Sequence, residues 1–128
     1  MTRTASGTFE VSLAPGLAEL DGAVGRFELT KRFRGDFDGT GTGVMLSAGD
    51  PQAGTAGYVA IETVNGRLGD CEGGFALQQF GTMRGGQQTL HYEVVPGSGD
   101  GELTGISGTL HLTIDEDGTH HYELEYDL

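Results

Sequence analysis

Lys31 stands between Leu29 and Phe33 at alternate positions, in a segment where Glu28, Thr30, Arg32 and Arg34 occupy the other alternate positions. In an extended chain that spacing puts the ammonium on the apolar face, where it is costly unless paired or deprotonated. Glu62 is its natural partner, with Ala60 and Val64 two residues to either side. Val59 and Ile61 make the opposite face of that segment equally apolar, so which of the two faces turns inward stays open. Other polar residues share a face with apolar ones: Gln79 with Phe75 and Leu77, Tyr92 with Leu90 and Val94, and His120, Tyr122 and Tyr126 with Leu124 and Leu128. Tyr58 joins them if the face of Glu62 is the inner one. Lys31, Tyr58, Glu62, Gln79, Tyr92, His120, Tyr122 and Tyr126 are therefore the candidate lining of an interior. A Lys–Glu pair beside phenols and an imidazole supports acid–base chemistry, because burial and mutual interaction bring such groups toward neutral pKa. The same groups also anchor a ligand, or satisfy one another and fill the interior. No one of them is marked as catalytic.

Other arrangements fail on context. GTGTGV at 39–44 looks like a dinucleotide-binding loop, but no helical pattern follows it, and Asp36 and Asp38 repel a pyrophosphate. Asp115-Glu116-Asp117-Gly118 opens like a calcium loop. With Gly118 as the obligatory glycine, Leu124 falls where the bidentate glutamate belongs. His120 and His121 are adjacent on a strand pattern and point to opposite faces, and His91 and His111 fall on polar faces. No metal site and no cofactor are expected. Cys71, the one cysteine, lies between Asp70 and Glu72, which oppose thiolate formation.

The elements that position these residues are strands. Alternation of apolar and polar residues recurs at 7–13, 24–35, 43–47, 57–64, 75–83, 89–95, 106–114 and 120–128. Turn signals separate them: Pro15-Gly16, Asp21-Gly22, Asp38-Gly39, Gly49-Asp50-Pro51, Asn65-Gly66, Gly85-Gly86, Pro96-Gly97 and Asp117-Gly118. Residues 97–110, GSGDGELTGISGTL, carry too many glycines for a helix and read as a bend between extended segments. Segment 15–23 allows a short helical turn. Eight strands joined mostly by hairpin-length turns predict an all-β fold, a closed antiparallel barrel whose interior holds side chains or one small ligand.

Composition bounds the rest. The chain has 128 residues, enough for one domain spanning 1–128 with one core. Seven Lys and Arg against nineteen Asp and Glu give a net charge of −12, which argues against nucleic acid and anionic membranes as partners. The amino-terminal MTRTASGTFEV lacks a signal-peptide core, no apolar run is long enough to span a bilayer, and a single cysteine forms no internal disulfide. A cytoplasmic protein is expected.

The phrases GRFELTKRFRGDFDGTGTGVMLSAG, GYVAIETVNGRL, FALQQFGTM, VVPGSGDGELTGISGTL and DGTHHYELEYDL, in this order, resemble the bacterial family termed domain of unknown function 3224. The resemblance covers nearly the whole chain and implies an allene oxide cyclase-like eight-stranded barrel; it implies no activity. It also implies histidine at many of the positions equivalent to Gln79, a titratable group this chain lacks. Three functions follow from such a barrel. The first is binding of a hydrophobic small molecule in the lumen. The second is a cofactor-independent isomerase or cyclase that shapes a hydrophobic substrate there. The third is a structural homo-oligomer with a filled lumen.

Overall fold

Alternating sequence becomes strand throughout the computed structural model, which describes residues 2–15 and 24–128. The strands are β1 (Arg3–Pro15), β2 (Val24–Gly35), β3 (Phe37–Asp50), β4 (Thr55–Leu68), β5 (Cys71–Arg84), β6 (Gln87–Val94), β7 (Ser107–Ile114) and β8 (His120–Asp127). Each pairs antiparallel with the next, and β8 pairs with β1, so the sheet closes into an eight-stranded barrel. The expected helical turn at 15–23 and the turn signals Pro15-Gly16 and Asp21-Gly22 fall largely or wholly outside the described residues. Among the described residues, no helix is long and apolar enough to cross a membrane.

Two expected turns are strand interior instead. Asp38-Gly39 lies within β3 and Asn65-Gly66 within β4, where Gly39 faces Gly66 across the ladder. The chain reverses earlier and later than expected, at Asp36 and at Gly69-Asp70. Glycines at 39, 41 and 43 hide the alternation, because a residue without a side chain cannot mark a face. Thr40, Thr42 and Val44 are exposed on the outside of β3, while Gly41 is buried inside. A Cβ on Gly41 would lie 2.9 Å from Val64 Cγ1, and one on Gly43 would lie 2.7 Å from Glu62 Cα. The inner face of β3 is thus a bare track over which side chains from β2 and β4 lie.

The bend expected in 97–110 is a longer connection that closes one end of the barrel. Its 3-10 turn, Gly101–Leu103, sets Leu103 and then Ile106 into the core at 0% and 2% exposure. Beyond Val94, β6 no longer covers β5, and this loop covers the exposed edge. Gly74 N–H donates to Asp100 Oδ1 at 2.7 Å, Ala76 N–H to Ser98 Oγ at 2.9 Å, and Asp100 N–H to Gly74 O at 2.8 Å. An unpaired edge is a template for aggregation, and these polar groups satisfy it. On the far side of the loop, the seam between β6 and β7 rests on one paired position, Glu93 opposite Thr109.

The interior divides into two halves. Toward the loop, Phe33, Phe37, Phe75 and Tyr122 pack with ring centroids 5.3–5.8 Å apart, mostly edge-on or tilted, joined by Leu68, Leu103 and Leu124. Edge-to-face packing of this kind adds to the burial of each ring. Toward the Pro51–Ala53 3-10 turn, the described residues leave the lumen unfilled, and a cavity of about 490 Å³ opens there.

Candidate functional site

The boundary between the two halves is polar. Lys31 on β2 and Glu62 on β4 flank β3, opposite Gly41 and Gly43 respectively, and the bare track lets them meet across it. Lys31 Nζ donates to Glu62 Oε1 at 2.9 Å and to the Tyr92 hydroxyl at 2.7 Å, and the Tyr92 hydroxyl donates in turn to Glu62 Oε1. The three residues are 7%, 1% and 3% exposed, so burial governs their chemistry. The ammonium also lies over two rings, 4.7 Å from the Phe9 centroid and 5.1 Å from that of Tyr92. Glu62 Oε2 is buried and has no hydrogen-bond partner among the described residues.

Desolvation lowers the Lys31 pKa, and the neighbouring Glu62 carboxylate opposes that shift without cancelling it. Desolvation and then the Glu62 charge push the Tyr92 phenol well above its ordinary range, and the same two causes raise Tyr58. Tyr92 is therefore a neutral hydrogen-bonding phenol across the physiological range. It holds a proton between the amine and the carboxylate rather than supplying a phenolate.

Above this floor, Tyr58 donates to Gln79 Oε1 at 2.6 Å, both residues lining the cavity. Their closeness follows from register, since Ala60 pairs with Gln79 and Tyr58 with Gly81, where the absent side chain leaves room for the phenol ring. His120 lines the same cavity and packs its ring on Phe9, with centroids 5.1 Å apart. The apolar wall includes Val11, Leu29, Met45, Leu90 and Leu112.

Of the eight residues expected inside, Lys31, Tyr58, Gln79, Tyr92 and His120 line the cavity, and Glu62 lies beneath it. The face of β4 left open by the sequence is settled by position: Ala60, Glu62 and Val64 are buried, while Val59 and Ile61 are 53% and 59% exposed. Tyr122 and Tyr126 also point inward but belong to the packed half. The Tyr122 hydroxyl accepts from Phe37 N–H at 2.9 Å and lies 3.0 Å from the carbonyls of Arg34 and Phe37, which pins the β2–β3 turn. Tyr92 as the third member of the Lys–Glu pair was not evident from the sequence. Its signal was available in the alternation Leu90, Tyr92, Val94, but strand register was needed to bring it to Glu62.

The outward histidines are elsewhere. His111 lies 3.2 Å from Glu125 and His121 2.6 Å from Asp115, both pairs exposed. Among the described residues, no group of three or more His, Cys, Asp or Glu side chains is arranged to hold a metal ion. Cys71 begins β5, half-buried against the core and in no disulfide.

This is a closed antiparallel β-barrel with one packed half and one hollow half, divided by a buried Lys–Glu–Tyr cluster. Residues 5–126 match the family described as protein of unknown function (DUF3224), and the chain belongs to that family. It is similar to a crystal structure of a DUF3224-family protein of unknown function from Shewanella oneidensis MR-1. The two share 45% identity and a TM-score of 0.92, over 100% of this chain and 98% of that one. No curated protein matches this chain.

Proposed function

We propose that the protein binds an apolar small molecule in the hollow half of its barrel, its tail against Val11, Leu29, Met45 and Leu112 and its head toward Lys31, Gln79 and His120. The single observation that carries this reading is the uneven filling of the lumen. A cavity of about 490 Å³, mostly apolar and ended by a few convergent polar groups, is the form that small-molecule sites take. A barrel whose role was structural gains nothing from a hollow half, since unfilled space forfeits packing.

The test is uptake of the neutral fluorophore Nile red. Wild-type protein should bind it at one per barrel with a blue-shifted emission. Leu90→Trp, which places a large ring in the cavity, should remain folded by circular dichroism and lose that signal. Equal fluorescence from both proteins would place the dye on the outer surface and remove the reading.

A second reading, a cofactor-independent isomerase or cyclase, is favoured by the same floor. Lys31, held by Glu62 and Tyr92, sits at the closed end of a shaped apolar cavity, where its remaining N–H donor stabilises charge that develops on an oxygen. Turnover of a bound compound, lost in Lys31→Met and Tyr92→Phe but not in a surface variant, distinguishes it from binding alone.

A further inference from the structure

Counting donors and acceptors at the cavity floor defines the kind of head group it takes, an inference that rests on the lumen being the binding site. Lysine carries three N–H donors, and Lys31 commits two, to Glu62 and Tyr92. The Tyr92 proton goes to Glu62, and its oxygen accepts from Lys31. The Tyr58 proton goes to Gln79 Oε1, which leaves both N–H donors of the Gln79 amide without a protein partner among the described residues. Glu62, the one carboxylate of the cluster, lies beneath the floor and does not line the cavity. The floor therefore offers a lysine N–H and an amide N–H₂, while the Glu62 carboxylate is covered and the Tyr92 oxygen engaged; His120, on the wall against Phe9, adds one ring N–H and one ring nitrogen acceptor.

Charge narrows the class further. Lys31 and Glu62 neutralise each other, so a carboxylate ligand brings an uncompensated negative charge into an apolar cavity of a protein already at −12. An ammonium ligand meets the Lys31 charge with no open carboxylate to receive it. We infer that the site selects an uncharged head that accepts hydrogen bonds, a ketone, aldehyde, ester or amide carbonyl, on an apolar body. The carbonyl oxygen sits between Lys31 Nζ and the Gln79 amide. The preference resides in these two donors, since the walls treat all apolar tails alike.

The experiment is displacement of Nile red by four compounds of equal chain length: methyl decyl ketone, dodecanoate, dodecylammonium and dodecane. The ketone should compete about tenfold more tightly than any of the other three, the scale of one or two added hydrogen bonds. Gln79→Leu, checked for an unchanged circular dichroism spectrum, should cut the ketone's advantage over dodecane to the part that Lys31 supplies, while dodecane itself is little affected. If Nile red does not enter the wild-type lumen, the binding reading fails and this inference with it. If Nile red enters but dodecanoate or dodecylammonium matches the ketone, the head-group assignment is wrong while lumen binding stands. A ketone preference that survives Gln79→Leu at full strength also overturns the assignment, because the amide donors then contribute nothing.

Discussion

Lys31 is held by opposition: burial favours losing its proton, and Glu62 2.9 Å away favours keeping it. Removing the lysine leaves a carboxylate at 1% exposure with no counter-charge. Lys31→Met should therefore cost about 3 kcal/mol or more in urea unfolding, and Lys31→Met combined with Glu62→Gln should recover much of that loss. Equal losses in the single and double variants would mean that the pair contributes little as a pair. Tyr92 sets the behaviour in alkali. Its folded pKa lies well above the ordinary 10.0, so its contribution is complete below pH 10 and is lost as pH climbs from there through the folded value. Tyr58 and Tyr122 are raised too and act in the same direction. The lowered Lys31 opposes them, gaining stability as pH rises from its folded pKa toward 10.5. Above 10.5 the amine has lost its proton in both folded and unfolded states and adds nothing further, so the raised phenols make stability fall there. Tyr92→Phe should flatten that fall in denaturation curves measured across the range.

β3 is the element that makes the cluster possible. A Cβ at Gly43 overlaps the Ile61 carbonyl oxygen and Glu62 Cα, both backbone atoms that cannot step aside, whereas a Cβ at Gly57 meets nothing nearer than 3.6 Å. Gly43→Ala should therefore cost about 2 kcal/mol or more, and Gly57→Ala less than about 1 kcal/mol, by the same unfolding measurement. Comparable effects at the two sites would show that the close approach is not constraining. These glycines also limit how much of the fold the sequence displays. Lys31 was legible because Leu29 and Phe33 mark its face without ambiguity. Glu62 was not fully legible, because Val59 and Ile61 on the outside of β4 are as apolar as Ala60 and Val64 on the inside. The strand boundaries of β3 and β4 are hidden where Gly39 and Gly66 face each other and neither side shows alternation. The loop that sets Leu103 and Ile106 into the core has no period to detect, and the Tyr58–Gln79 bond depends on register between strands.

At the scale of the whole barrel, the two halves should respond differently to the same kind of change. Phe33, 1% exposed and in contact with Phe9, Phe37 and Tyr122, does not line the cavity and is held among rings. Phe33→Ala should cost about 3–5 kcal/mol. Met45 borders a cavity that already exists, so Met45→Ala enlarges a void rather than creating one and should cost about 1 kcal/mol. Urea midpoints of the two variants check this directly; similar losses would indicate that the upper lumen is as tightly packed as the lower. A bound apolar compound should raise the midpoint of wild type and of Phe33→Ala alike, since it occupies the half that the substitution leaves intact.

The seam at Glu93–Thr109 bears on how anything reaches that hollow half. Local opening follows the parts of a structure with the fewest shared hydrogen bonds, and amide exchange reports it residue by residue. Leu90 of β6 and Leu112 of β7 both wall the cavity, on either side of the seam, while β7 and β8 are joined along Ser107–Ile114 by continuous pairing. The β7 amides that face β6 should therefore exchange with deuterium sooner than those that face β8, although both belong to one strand. Filling the lumen joins Leu90 to Leu112 through the guest molecule, so exchange across the seam should slow on loading while the packed end keeps its rates. The barrel would then have a side entrance that its own cargo holds shut.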